Sequence, residues 1–360
     1  MRPTRARVDL RKLRHNAALA AARAPASRLM AVVKADGYGH GALPVAHALA
    51  SRVAAFAVAT LEEAARLRDG GITRPLLLLE GVFAAGDYAE ARGRDLTVSI
   101  TSEEQLAWLE AARLPGPLHC WLKIDTGMHR LGVAPAATAH YAERLAACAN
   151  AAAAPVLCTH FARADEPECG ETPAQLARFL AATAGLPWPR SAANSPAVLA
   201  WPESHLDWIR PGYMLYGASP LPPGHPAGGD LKPVMQLEAT VQAVREVPAG
   251  DGVGYGHVWR ARRPSRIATV SAGYADGYPR TTASGTPVLV NGRRAPLAGR
   301  VSMDMLTVDV TDLPPVRVGD PAVLWGADLP IGEVAAGAGT TGYELLAGMP
   351  PRVPRLLEHG

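Results

Sequence analysis

The chain has 360 residues, 48% hydrophobic and 19% charged, which excludes a disordered or fibrous protein and leaves room for two cores. Its formal net charge of +3 is spread over many separate arginines, which argues against nucleic acid or a membrane surface as a partner. No apolar run approaches the roughly 18 residues of a membrane span, and MRPTRARVDLRKLRHN lacks the apolar centre of a signal peptide, so a cytoplasmic protein is expected.

From residue 29 onward one unit repeats: an apolar run, a loop, then a helical pattern. Strands are expected at 29–34 (LMAVVK), 54–59 (AAFAVA), 75–79 (PLLLL) and 96–100 (LTVSI), then at 118–124 (LHCWLKI), 156–160 (VLCTH), 190–193 (RSAA) and 206–209 (LDWI). Their continuous apolar character suits strands covered on both faces. Thr60 with Glu63 and Ser102 with Gln105 have the spacing of capping boxes, and Gly70-Gly71 stops the first of these helices. Eight β-α units in about 220 residues give an α/β fold with an N-terminal (β/α)8 TIM-type barrel, an open doubly wound sheet being the alternative. The stretch SPLPPGHPAGGD breaks the rhythm and marks the boundary between a barrel domain, 1–222, and a smaller, mostly β domain, 223–360. In the latter, short runs such as RIATVSAGY, TPVLV and MLTVDV are separated by turns, Asn291-Gly292 among them. The four cysteines, Cys120, Cys148, Cys158 and Cys169, form no CxxC pair and have no histidine at zinc-ligand spacing, so reduced thiols and no metal are expected.

Active-site groups of such barrels come from the C-terminal ends of the strands. There the sequence places Lys34, then Lys123, Asp125 and Arg130, then His160, Asn194-Ser195, and Arg210 followed by Gly212-Tyr213. Lys34 follows five apolar residues, so its amine is partly desolvated and suited to act as a nucleophile. Gly37, Gly39 and Gly41, with Tyr38 between, let a ligand approach the backbone. Asn194, Ser195, Gly212 and Tyr213 lie after the last two strands, where many barrels hold a phosphate. A lysine for an aldehyde opposite a phosphate cradle outlines pyridoxal phosphate; a Schiff-base aldolase fits the same outline.

These segments resemble the alanine racemase family. AVVKADGYGHG is similar to the family's cofactor-lysine motif, and KIDTGMHRLG, THFA, NSPA, RPGYMLYG, VGYGHVW, GYADGYPR, GRVSMDM and RVPR follow in the family's order. The resemblance implies a fold-type III enzyme that uses pyridoxal 5'-phosphate, works as a head-to-tail homodimer, and supplies D-alanine for peptidoglycan. Lys34 resembles the lysine that forms the Schiff base with the cofactor and acts as one base. Tyr255 resembles the second base, contributed by the partner chain. Tyr38, Ser195, Gly212, Tyr213 and Tyr343 resemble phosphate contacts, with Asn194 beside them. Arg210 resembles the residue facing the pyridine nitrogen, and His160 the support for Arg210 and Tyr255. Arg130 and the backbone of Met303, beside Asp304, resemble contacts to the substrate carboxylate. Tyr274 resembles part of the access gate. Lys123 matches a lysine that steadies Arg130, often as a carbamate. His129 and His257 occupy positions with no assigned role.

Racemisation removes a proton from one face of Cα and returns one on the other, and two bases on opposite sides accomplish this simply. A phenol serves as such a base when a neighbouring cation favours its phenolate. The alternatives are a broad-specificity racemase or an amino-acid decarboxylase of the same architecture, and a non-enzymatic cofactor carrier, whose single-domain barrels lack a C-terminal β domain. A metal-dependent hydrolase fits worst, because no HxH pair is present.

Overall fold

The computed structural model describes residues 3–359. Its first strand, β1 (Arg5–Asp9), is followed by a closed barrel of eight parallel strands. These are β2 (Arg28–Val32), β3 (Ala55–Val58), β4 (Leu76–Leu78) and β5 (Thr97–Ile100), then β6 (Cys120–Lys123), β7 (Val156–Cys158), β8 (Arg190–Ser191) and β9 (Trp208–Ile209). Each pairs with the next in parallel, and β9 closes onto β2 through Arg28↔Trp208 and Leu29↔Ile209. All eight expected strands are present, the last two trimmed to two residues each.

Side chains alternate across a strand, and the barrel sorts them by that parity. Met30, Val32, Ala55, Ala57, Leu77, Trp121, Cys158 and Trp208 form the inner cluster, while Ala31, Phe56, Val58, Leu76, Leu78, Leu122 and Leu157 join the outer one beneath the helices. The alternation runs on to the strand ends and past them. Lys34 is two residues beyond Val32, Lys123 two beyond Trp121, His160 two beyond Cys158, and Arg210 two beyond Trp208. The barrel interior thus delivers four polar groups to one mouth.

The second body is an eight-stranded sheet centred on β10 (Met235–Val247). Its first half pairs with β1 on one side and Pro321–Trp325 on the other, and its second half with Ser265–Val270. β1 also pairs in parallel with Arg355–Glu358. Residues 5–9 therefore lie in the C-terminal sheet, which corrects the expectation that all of 1–222 belongs to the barrel. The physical reason is long-range pairing: Arg5 meets Glu238, and Arg7 meets both Glu238 and Glu358. Buried Asn16 fastens the junction, donating to Leu215 O and Lys232 O and accepting from Lys232 N. The expected Asn291-Gly292 turn joins Val290 to Arg293 with φ of 49° and 74°, as a two-residue hairpin requires.

Candidate active site

The barrel mouth opens into a cavity of about 620 Å3. Lys34, Tyr38, Lys123, Arg130, His160 and Asn194 line it, and so do Ser195, Arg210, Gly212, Tyr213 and Tyr343. Four of these are cations, against a single lining carboxylate, Glu80. A dianionic ligand or a carboxylate substrate is therefore favoured there.

Lys34 is half-buried and opens a turn with the opposite hand to an ordinary helix. Ala35, Asp36, Gly37 and Tyr38 all have φ between 50° and 63°. For an L-residue this conformation costs roughly 1–2 kcal/mol per position, so outside contacts must hold it. Glu63 accepts from Ala35 N (2.7 Å) and Asp36 Oδ1 accepts from Ala42 N (2.9 Å). Arg355 Nε donates to Gly39 O at 2.9 Å. At Gly39, with φ of 72°, a Cβ would lie 2.0 Å from Leu346 O. Here only glycine fits.

His40 closes the turn from beneath. Its Nδ1 sits 2.7 Å from Tyr38 O and 3.2 Å from Gly37 O, so that nitrogen carries the proton. Nε2 is buried without a partner. Burial, ahead of every other cause, pushes this imidazole down to about 4. The unfolded chain, with histidine near 6.5, therefore binds the extra proton first. Stability contributed by neutral His40 is present above pH 6.5 and drains away as pH falls towards 4, by about 3 kcal/mol in all. His40→Asn should be less stable than the parent at pH 7.5 but lose less stability on acidification. Urea midpoints at pH 7.5 and 4.5 check this; equal pH slopes for the two proteins would refute it.

The far wall is built for an anion. Ser195 Oγ accepts from Gly212 N (2.9 Å) and Met214 N (3.3 Å), which leaves its own proton to donate elsewhere. Desolvation pushes the Tyr38 phenol up to about 12 and raises Tyr213 and Tyr343 as well, so all three stay protonated and able to donate. Tyr213 stacks on Tyr343 at 3.8 Å. A side chain at position 212 would come within 2.5 Å of Tyr38 Oη. Asn194 caps the following helix, its Oδ1 3.3 Å from Ala197 N.

Arg210 is buried in the cavity wall. It donates to Ser191 Oγ, to Thr159 O at 2.6 Å and to Ala192 O at 3.3 Å. His160 is held neutral, first by burial and then by Arg210, Lys123, Arg130 and Lys34 around it. Its ring nitrogen lies 3.5 Å from Asn194 Nδ2, and no hydrogen bond joins it to Arg210 among the described residues. Lys123 is lowered by burial, with Arg210 and Arg130 adding to the effect. Arg130 sits exposed on a loop pinned by Asp125, whose Oδ1 accepts from the backbone N–H groups of Gly127, Met128 and His129.

Tyr255, Tyr274, Met303 and Asp304 do not line this cavity. Tyr255 is 64% exposed on a turn of the β domain, with Gly254 and Gly256 at positive φ. Tyr274 and Met303 are also exposed, and Arg280 lies 5.8 Å from the Tyr255 ring and 5.9 Å from the Tyr274 ring. Met303 O accepts from Ala275 N, and Arg352 bonds Asp304. Glu80, Trp121 and Arg280 escaped the sequence reading as site residues, and Glu63 was read there only as part of a helix start. Trp121 could have been found from its parity with Lys123.

Among the described residues no group of acids, histidines or cysteines could hold a metal ion. Nor is any helix there long and apolar enough to cross a membrane. All four cysteines are free.

The same chain matches two family models, the N-terminal domain of alanine racemase over residues 8–220 and the C-terminal domain over 234–357. It is 51% identical to an alanine racemase of Chromohalobacter salexigens over 98% of this chain and 97% of that one. Against the biosynthetic alanine racemase of Escherichia coli the identity is 48%, covering 96% of each. The crystal structure of the biosynthetic alanine racemase from Pseudomonas aeruginosa superposes with a TM-score of 0.97 at 52% identity, covering all of both chains. With both domains matched and the barrel and β domain in the family's order, the chain belongs to the alanine racemase family of enzymes.

Proposed function

We propose that this chain interconverts L- and D-alanine with pyridoxal 5'-phosphate held in the barrel cavity, and so supplies D-alanine for peptidoglycan. The observation that carries the reading is the pairing of Lys34 with the Ser195, Gly212 and Tyr38 anion cradle in one cavity rich in cations. Lys34 would hold the cofactor covalently, the protonated phenols and Ser195 its phosphate, and Arg210 its ring. When bound, the cofactor supplies the electron sink that makes an amino acid's α-proton removable.

Lys34 then serves one face of Cα and Tyr255 the other. Tyr255 is exposed and outside its own chain's cavity. A second copy of the chain would bring it, with Tyr274 and Met303, over the mouth. Arg130 holds the substrate carboxylate. Held in this way, the carboxylate keeps its charge neutralised, which favours proton movement at Cα over loss of CO2.

Incubating the loaded enzyme in turn with the common L-amino acids and measuring the D-enantiomers tests the reading. D-alanine should dominate, with some activity on serine, because one small group is worth only about 1–3 kcal/mol of discrimination. Equal rates over many side chains would replace it with a broad-specificity racemase, and CO2 release with a decarboxylase.

A further inference from the structure

We propose that Glu63 is the positioning residue for Lys34, an inference that rests on Lys34 acting as a base. Glu63 stands at the third position of the helix Leu61–Asp69, where Thr60 Oγ1 accepts its backbone N–H at 3.4 Å. That much matches a capping box. In a full box the carboxylate would return to the N–H of Thr60. Here it turns outward. Oε1 accepts from Ala35 N at 2.7 Å and Oε2 from Ala59 N at 2.8 Å.

Ala35 and Ala59 stand just beyond the ends of neighbouring barrel strands, β2 and β3, which pair through Val32↔Ala57. One carboxylate therefore ties both ends together through two charge-assisted bonds, the stronger kind. The turn's internal bonds include those from Gly37 N to Val33 O, from Gly39 N to Ala35 O and from Gly41 N to Asp36 O. None of these involves Ala35 N–H. The bond from Glu63 is what orients the peptide joining Lys34 to Ala35, at the first residue of the left-handed run. Glu63 itself does not line the cavity, so it acts only through Lys34.

In Glu63→Gln, one of the two oxygen acceptors becomes an N–H2 donor facing an N–H. A displacement of about 1 Å in a reacting group can cost 10²-fold, so kcat should fall about 10- to 100-fold with KM little changed. Because the two enantiomers are equal in energy, kcat/KM must fall equally in both directions, and the directional signal lies in the isotope effects. The primary deuterium isotope effect should rise for the enantiomer whose α-proton Lys34 removes, and fall for the other. A merely structural lesion lowers kcat and leaves the isotope effects of both enantiomers where they were.

A second readout needs no cofactor. In the apoprotein, backbone hydrogen exchange across residues 33–39 should quicken in Glu63→Gln while the barrel strands stay protected. Glu63→Asp, one methylene shorter, serves if the glutamine variant folds poorly, and should show the same directional signature. Unchanged kcat, or a lowered kcat with unmoved isotope effects, overturns the role of Glu63. If Lys34→Ala keeps its activity, the underlying reading of the site fails instead.

Discussion

Lys34→Ala is expected to reduce racemisation by at least about 10⁴-fold, since on the proposed reading it would remove both the covalent anchor and one of the two bases. The argument has to separate two amines, because Lys34 and Lys123 share the cavity. Electrostatics alone would favour Lys123: burial and two neighbouring arginines weaken its hold on a proton, which makes it the readier nucleophile. Geometry favours Lys34. It lies in the same short turn as Tyr38, whose hydroxyl meets Gly212 in the anion cradle. Lys123 is instead the last residue of β6, in the company of Cys158 and Arg210. A cofactor anchored on its phosphate needs its aldehyde within reach of the cradle, so position outranks basicity. Borohydride reduction of the loaded enzyme, followed by peptide mapping, should find the label in the segment around Lys34. A label on Lys123, or a Lys34→Ala protein that still racemises alanine, would sink the assignment.

What the sequence disclosed follows from range. The barrel strands are short apolar runs with helical patterns between them, and that signal is local. So is the parity that sends Lys123 and Arg210 inward, two residues beyond Trp121 and Trp208. The left-handed turn after Lys34 is different. Three of its four positive-φ residues, Ala35, Asp36 and Tyr38, are not glycines, and the contacts that hold it reach to Glu63 and Arg355. No local pattern announces such a turn. β1 was hidden for the same reason, since its partners come more than 200 residues later. Thr60 and Glu63 showed where a helix starts, but the destination of the Glu63 carboxylate depended on how β2 and β3 pair. Tyr255 was legible only through its motif. In an isolated chain it is an exposed tyrosine on a glycine turn.

Tyr255→Phe should lower racemisation by about 10²- to 10⁴-fold, the usual worth of a positioned acid or base. KM should change little, since the ring remains and only the hydroxyl is lost. Lys34 still reaches its own face of Cα in this variant. The enantiomer it serves should continue to exchange its α-hydrogen with solvent, while the opposite enantiomer stops. Retention of exchange for both would mean that another group works the second face. The exposure of Tyr255 adds a sharper test. If one chain supplies Lys34 and its partner Tyr255, a mixed dimer of Lys34→Ala and Tyr255→Phe chains has one site with both defects and one with neither. Two nearly inactive proteins, unfolded and refolded together, should then recover about a quarter of the parent activity, because half the dimers are mixed and each has one intact site of two. Were both bases drawn from the same chain, every site would carry one lesion and no activity would return.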